Sequence, residues 1–184
     1  MARILAVDWG VRRLGLARSD ELGFTAQPLP PVILPAFTGN PADAARRATR
    51  AAADAVAAAV TAHGIDRVVI GLPLELSGRA GEAAERVSEL VAALAARPGA
   101  GVPVETWDER LTSAQAERSL REEGWSAGSR KGGGRERTRA RQEDKARIDQ
   151  RAALLLLQSW LDAHPGAGAS RTDDADDADE GSDG

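Results

Sequence analysis

The sequence contains no cysteine and few aromatic residues, and both absences narrow what the chain can be. Its 184 residues include no tyrosine, two phenylalanines, four tryptophans and two histidines. Without cysteine, neither disulfides nor thiolate metal sites can form, which is consistent with the cytoplasmic location that we expect. Because aromatic residues are scarce, the hydrophobic core must be built from alanine, leucine and valine.

Long apolar runs are also missing from the chain. No segment reaches the roughly 18 consecutive apolar residues of a membrane span, so we expect no contact with a membrane. A strand-like run begins directly after Met1-Ala2, which leaves no room for a signal peptide. The length favours one domain with some additional chain, and we assign that domain to residues 1–165.

The net charge of −4 is unevenly distributed along the chain. Residues 170–184 carry seven acids and one base, a net of −6, which leaves a net of +2 on the rest of the chain. A run of like charges among glycine, serine and alanine cannot bury apolar surface. We therefore predict a disordered acidic tail over residues 166–184 and a body whose charge does not exclude nucleic acid.

Hydrophobic periodicity and turn residues predict an α/β chain with a mixed sheet. Strands are expected at 3–8, 14–18, 67–72 and 102–106, and the proline-rich stretch 28–35 can form only an edge strand or an irregular crossing. Helices are expected at 41–63, 82–97, 113–123 and 146–163. The first two strands form a hairpin, after which helices and strands alternate.

Acidic residues lie at or just after the ends of two predicted strands and also occur in the last predicted helix. The candidates are Asp8, Asp108, Glu109 and Asp149. Each has an ordinary structural explanation as well. Asp8 can begin a turn before Gly10, Glu109 can pair with Arg110, and an acid such as Asp149 is common in the first turns of a helix.

Taken together, the four acids suit a site for hard divalent cations. Such cations bind carboxylate oxygens, and Mg²⁺ keeps waters when it meets a phosphate substrate. Two ions roughly 4 Å apart would stabilise the attacking and leaving oxygens of phosphodiester cleavage. The pattern therefore favours metal-dependent hydrolysis of nucleic acid, with Asp8, Asp108, Glu109 and Asp149 as candidate catalytic residues.

The two neighbouring acids have unequal roles if their strand continues through them. Successive side chains of a strand face opposite sides of the sheet, so only one of Asp108 and Glu109 would face the metal. Glu109 has the longer reach, whereas Asp108 is closer to the predicted strand. We favour Glu109, which makes Asp8, Glu109 and Asp149 the expected metal ligands.

A strongly basic stretch surrounds Asp149 in the sequence. Residues 130–151 contain nine bases and four acids, a net of +5. We predict a flexible basic loop over residues 126–145 that binds phosphates without regard to base sequence, and a solvated linker is the alternative. The candidate nucleic-acid-binding residues are Arg12, Arg13, Arg110, Arg130, Lys131, Arg135, Arg137, Arg139, Arg141 and Lys145.

Four motifs in this order resemble the YqgF family, the RuvX-type nucleases associated with pre-16S rRNA and also described as Holliday-junction-resolvase-like. They are LAVDWG at 5–10 with RLGLA at 13–17, VIGLPL at 69–74 with Gly78 and Gly81, DERLTS at 108–113, and Asp149 with AA at 152–153 and LLQ at 156–158. The motifs cover residues 3–162, and the run of four is far more specific than any one of them.

The resemblance implies an RNase H-like fold with a five-stranded mixed sheet flanked by helices. It also implies an Mg²⁺ or Mn²⁺ site built from Asp8, from Asp108 or Glu109, and from Asp149. The implied activity is that of a nuclease, a hydrolase of ribosome biogenesis that processes precursor rRNA. The stretch at 126–145 is longer and richer in arginine than is usual in the family, and the acidic tail is an addition, so substrate choice stays open.

Other functions remain open at this point. Branched DNA is the alternative substrate, as for a Holliday-junction-type resolvase, and a homodimer stays open. A non-catalytic nucleic-acid-binding or transcription-related module would keep the basic stretch but would not need three acids at one site. An actin-like or sugar-kinase ATPase also uses an Asp-x-Gly hairpin, yet it needs a second such domain, for which a single domain of ordinary size leaves no room.

Overall fold

The protein folds around one sheet, which a computed structural model describes over residues 2–10, 12–72, 81–97, 101–108 and 134–167. Five strands and three helices lie within these ranges. The strands are β1 (Ile4–Trp9), β2 (Arg13–Ser19), β3 (Ala26–Ile33), β4 (Arg67–Leu72) and β5 (Val104–Asp108). The helices are α1 (Pro41–His63), α2 (Glu82–Ala95) and α3 (Gly134–Ala163).

The sheet is mixed, in the order β3-β2-β1-β4-β5. Strands β1, β2 and β3 pair antiparallel, whereas β1 pairs parallel with β4 and β4 pairs parallel with β5. The proline-rich strand β3 lies at the edge, where missing N–H donors are tolerated. The predicted mixed sheet and the edge position of this stretch are therefore both confirmed.

Helices cover both faces of the sheet, and the alternation of β1 shows how. Leu5 and Val7 pack into the core formed with α1 and α2. Ile4 and Ala6 pack into a second core formed with α3. Because successive side chains of a strand point to opposite faces, β1 is apolar on both sides, as a central strand must be.

Helix α1 has the predicted boundaries because its sequence carries a cap at each end. The Asn40 side chain accepts a hydrogen bond from the Ala42 N–H at 2.9 Å, and Pro41 occupies the first turn. Gly64 ends the helix in the left-handed conformation with φ 58°. No helix within the described ranges is both long and apolar enough to cross a membrane.

The turn between β2 and β3 is organised by Asp20. Its Oδ1 accepts hydrogen bonds from the backbone N–H groups of Phe24 at 2.8 Å and Thr25 at 3.2 Å. Desolvation acts to raise the pKa of Asp20, but hydrogen bonds from Thr25, Phe24 and Gly23 outweigh it, so the pKa lies below its usual value. The folded turn therefore favours the ionised form of the Asp20 carboxylate.

The last helix differs from the sequence-based expectation. Helix α3 begins at Gly134, so residues 134–145 are helical, and both the predicted start at Ala146 and the loop assignment for these residues are wrong. Arginine, glutamate, glutamine and alanine dominate this segment and are all good helix formers. The high charge density favoured a flexible loop, whereas the glycines at 132–134, which interrupt the helical pattern, lie only at the start of this segment.

Smaller differences concern the ends of β5 and α2. Strand β5 extends to Asp108, beyond the predicted end at Thr106, and α2 ends at Ala95. The predicted helix at 113–123, the part of the basic loop before residue 134 and the acidic tail after residue 167 lie outside the described residues.

Candidate metal and nucleic-acid site

Asp8 stands near the carboxyl end of the central strand, on the face that α3 covers. It follows Ile4 and Ala6 at two-residue intervals, and both of these pack against α3. Its register partner on β2 is Gly15. Asp8 is half-buried. It lies near the carboxyl end of β1, and open α/β sheets bind ligands at the carboxyl ends of their strands.

Asp149 of α3 is brought to the same place by the absence of a side chain at Gly15. A Cβ built on Gly15 would lie 2.6 Å from the carbonyl carbon of Asp149, and it would overlap the carbonyl oxygen. A Cβ on Gly10 would lie 4.0 Å from Asp149 Oδ1. The turn of α3 that carries Asp149 therefore rests on the β1–β2 hairpin beside Asp8.

Arg13 pairs with the Asp149 carboxylate. Its Nε donates to Asp149 Oδ2 at 2.7 Å, and the side chains are 17% and 20% exposed. Arg13 lies two residues before Gly15 on β2, and the alternation of the strand places both on the α3 face. One carboxylate oxygen of Asp149 therefore contacts the guanidinium, and the other faces the turn that follows Asp8.

The end of β5 lies level with Asp8, with β4 between them. Val7 pairs with Ile70, and this register continued by one residue aligns Asp8 with Gly71, which pairs with Trp107. Trp107 packs against the α3 core, and its Nε1 donates to Ser159 Oγ at 3.3 Å. Trp107 of β5 therefore lies on the same face of the sheet as Asp8.

The predicted Asp-Glu-Arg motif is described only at its first residue. Asp108 is the last residue of β5 and pairs with Leu72. The side chain of Asp108, together with Glu109 and Arg110, lies outside the described residues. The structure therefore places two of the predicted acids together, Asp8 and Asp149, and leaves the third position to be proposed.

The donor set at this point suits a hard divalent cation. Asp8 and Asp149 offer carboxylate oxygens, which are the donors that Mg²⁺ and Mn²⁺ accept. Within the described ranges, no three His, Asp or Glu side chains come together as a metal site. A complete site of three acids would therefore need a ligand whose side chain is not described, such as Asp108 or Glu109.

The predicted basic residues fall into three groups. Arg12 is exposed beside Arg13, and its carbonyl accepts from the Leu34 N–H at 2.9 Å. Arg110, Arg130 and Lys131 lie outside the described residues. Helix α3 also carries five of them at positions whose side chains are not described: Arg135, Arg137, Arg139, Arg141 and Lys145. These five precede Asp149 on the same helix.

Two features of this site escaped the sequence-based reasoning. The close approach at Gly15 had a signal, since an isolated glycine within a strand often marks a backbone contact. The pairing of Arg13 with Asp149 had none, because the two residues are 136 positions apart in the chain. Arg13 was predicted only as a ligand for nucleic acid.

Comparison with solved structures supports the RNase H-like fold. The chain is similar to the RuvC structure from Thermus thermophilus, with a TM-score of 0.50 and 18% sequence identity. The similarity covers 89% of this chain and 96% of RuvC. The expected fold, a five-stranded mixed sheet flanked by helices, is confirmed.

Comparison of sequences is more specific. A protein from Nocardioides sp., named as a pre-16S rRNA nuclease, is 39% identical over 166 residues, which cover 90% of this chain and 91% of the relative. A protein of the same name from Syntrophus aciditrophicus is 36% identical and covers 88% of this chain and 89% of the relative. The family profile of RuvX, described as "Holliday junction resolvase", matches residues 2–163. The chain therefore belongs to the RuvX family.

Proposed function

We propose that this chain is a divalent-metal-dependent nuclease that hydrolyses phosphodiester bonds in precursor 16S rRNA. The observation that carries the proposal is the approach of α3 to the β1–β2 hairpin at Gly15. This contact brings the half-buried Asp149 to the end of the strand that carries Asp8. Relatives named as pre-16S rRNA nucleases match over 88% and 90% of this chain, which supports the choice of substrate.

The metal ligands in this proposal are Asp8, Asp149 and Glu109. Trp107 packs on the α3 face of β5, and side chains two positions apart on a strand share a face. A strand continued by one residue beyond Asp108 would bring position 109 to the face of Asp8. This argument favours Glu109 over Asp108 as the third ligand.

When bound, Mg²⁺ or Mn²⁺ would activate the attacking water and polarise the scissile phosphodiester. The protein's own residues have separate tasks. The carboxylates of Asp8, Glu109 and Asp149 hold the cations, and the sheet and α3 fix those carboxylates relative to one another. Asp108 is the alternative to Glu109 as the catalytic carboxylate contributed from this part of the chain.

Basic residues would bind the phosphate backbone on either side of this site. Arg12 and Arg13 lie at the β1–β2 hairpin, and α3 carries a run of arginines before Asp149. The remaining candidates are Arg110, Arg130 and Lys131. Contacts of this kind neutralise phosphates and position the nucleic acid without reading its sequence. We place this reaction in the cytoplasm.

Branched DNA is the second candidate substrate, because the family's own description is that of a Holliday junction resolvase. A non-catalytic nucleic-acid-binding module is the third alternative. It would need the basic residues but not two acidic residues brought near each other at a strand end. The juxtaposition of Asp8 and Asp149 therefore favours an enzyme over a simple binding module.

Cleavage assays separate these alternatives directly. The full chain would be incubated with precursor 16S rRNA and, separately, with four-way-junction DNA, each with Mn²⁺ or with EDTA. We expect Mn²⁺-dependent cleavage of the RNA. Cleavage of the junction alone would identify a resolvase, and binding of either substrate without cleavage would contradict the proposal in favour of a binding module.

A further inference from the structure

The ion pair between Arg13 and Asp149 has a consequence for metal binding. The guanidinium occupies Oδ2 of a carboxylate that the proposed function gives to a divalent cation. Both groups are largely shielded from water, at 17% and 20% exposure, so their mutual attraction is screened less than that of a surface pair. A cation approaching Asp149 would therefore meet a positive charge already in contact with its ligand.

We infer that Arg13 exchanges between two partners. It pairs with Asp149 in the metal-free protein, and it leaves Asp149 to bind a phosphate of the nucleic acid. The inference rests on the proposed function, because it presupposes that Asp149 is a metal ligand. In this role Arg13 is a positioning residue: it acts on the metal through Asp149 and on the substrate through a phosphate group.

The geometry supports exchange between two acceptors. Arg13 contacts Asp149 through Nε, which is one of five N–H donors of a guanidinium, and the terminal fork of these donors matches a phosphate. Its chain neighbour Arg12 is exposed. A phosphate that lies along the β1–β2 hairpin would therefore be close to the side chains of both Arg12 and Arg13.

The charges explain why the ion pair and the metal oppose each other. With Arg13 on Oδ2, Asp149 is neutralised and its affinity for a cation is lowered, although Oδ1 still faces the hairpin turn beside Gly10. Removal of the guanidinium leaves a carboxylate without compensation, which is unfavourable in a shielded site. That carboxylate would accept a divalent cation more readily than in the wild-type protein.

Exchange would also couple the two ligands. A nucleic-acid phosphate that draws Arg13 away from Asp149 raises the affinity of the site for the cation, and by linkage the cation raises the affinity for nucleic acid. The site would thus bind the metal ion mainly when the nucleic acid is present. Arg13 would be the residue that connects the two events.

Calorimetric titration of the full chain with Mn²⁺, without nucleic acid, tests the first half of the inference. We expect Arg13→Gln to bind Mn²⁺ about fivefold tighter or more, in the range of typical coupling between ligands. Arg13→Lys keeps a cation beside Asp149 and should behave like the wild type. Arg18→Gln is the matched control, since it removes the same charge from β2 at a residue whose partner is Gln27.

Two further measurements complete the test. In fluorescence anisotropy without metal, Arg13→Gln should bind precursor rRNA more weakly than the wild type and Arg18→Gln. In thermal melts, Arg13→Gln should have a lower Tm without metal and a larger rise in Tm on addition of Mn²⁺. A merely structural role would lower the Tm but would not strengthen Mn²⁺ binding.

The outcomes also separate this inference from the proposed function. Wild-type binding of Mn²⁺ with equal or weaker binding in Arg13→Gln would overturn the exchange and leave the metal site intact. Unchanged binding of RNA in Arg13→Gln would overturn the phosphate contact. No binding of Mn²⁺ to the wild type or to Arg13→Gln would refute the proposed metal site and the exchange together.

Discussion

The backbone of Asp149 rests directly on Gly15, at the point where Gly15 pairs with Asp8 across the hairpin. A Cβ on Gly15 would lie 2.6 Å from the carbonyl carbon of Asp149 and 3.4 Å from the Cβ of Ala153. Backbone cannot give way as a flexible side chain can. The missing side chain at Gly15 therefore permits the close approach between the helix and the hairpin that supply two of the proposed ligands.

Gly15→Ala should displace α3 from the hairpin. Overpacking of this kind costs about 1–3 kcal/mol, and we expect a loss of that size in the free energy of unfolding together with weaker Mn²⁺ binding. Chemical denaturation and calorimetry measure the two effects. Gly101→Ala is the control, because a Cβ there would meet no atom within 4 Å. Equal stability of the two variants would contradict the close contact.

The basic half of α3 should contribute through phosphate contacts. Changing Arg135, Arg137, Arg139 and Arg141 to alanine keeps helix propensity high and should weaken binding of RNA. Each lost phosphate contact should reduce the log–log salt slope of the binding constant by roughly 0.7 to 0.9. Arg46→Ala, an exposed arginine of α1, is the control. An unchanged slope in the fourfold variant would show that these arginines do not meet the phosphates.

Asp108, the last residue of β5, and Glu109, which follows it in the chain, should differ in effect. If position 109 shares the face of Trp107, Glu109→Gln should abolish cleavage and Mn²⁺ binding, whereas Asp108→Asn should mainly lower stability. Calorimetry with Mn²⁺ and thermal melts distinguish the two effects. Equal loss of Mn²⁺ affinity in both variants would show that both acids serve the site and that the chain does not continue as a strand beyond Asp108.

Asp20 gives a prediction about pH. Its folded pKa is lowered by hydrogen bonds from the β2–β3 turn, so the ionised form stabilises the fold. That contribution is present above the unfolded pKa and is lost as the pH falls through the lower, folded pKa. Asp20→Asn should therefore lower the Tm at neutral pH. The difference from the wild type should shrink in acid, and a constant difference would indicate another cause.

The elements that local sequence could predict are those with their own signals. Helix α1 carries Asn40, Pro41 and Gly64 as caps, and its predicted boundaries agree with the structure. The strand of Arg67–Leu72 is a buried apolar run and was also predicted with its observed bounds. Helix α3 was predicted too short, because the high charge of its first half hid a helical composition.

The site could be predicted in its residues but not in its contacts. Asp8 follows from a carboxylate at the end of an apolar strand, and Asp149 from the motif that it shares with the family. Their proximity depends on tertiary packing at Gly15. The pairing of Arg13 with Asp149 joins residues that are 136 positions apart in the sequence. Local patterns report secondary structure and faces, whereas such contacts are decided only when α3 packs on the sheet.

Asp8 is central to the proposed site, because it lies near the carboxyl end of the central strand, beside the hairpin on which Asp149 packs. Asp8→Asn removes one negative charge without changing the volume of the side chain. The most direct measurement is cleavage of precursor 16S rRNA by this variant and the wild type in Mn²⁺, with thermal melts to verify that both are folded. The account predicts no cleavage by the folded variant, and cleavage at the wild-type rate would contradict it.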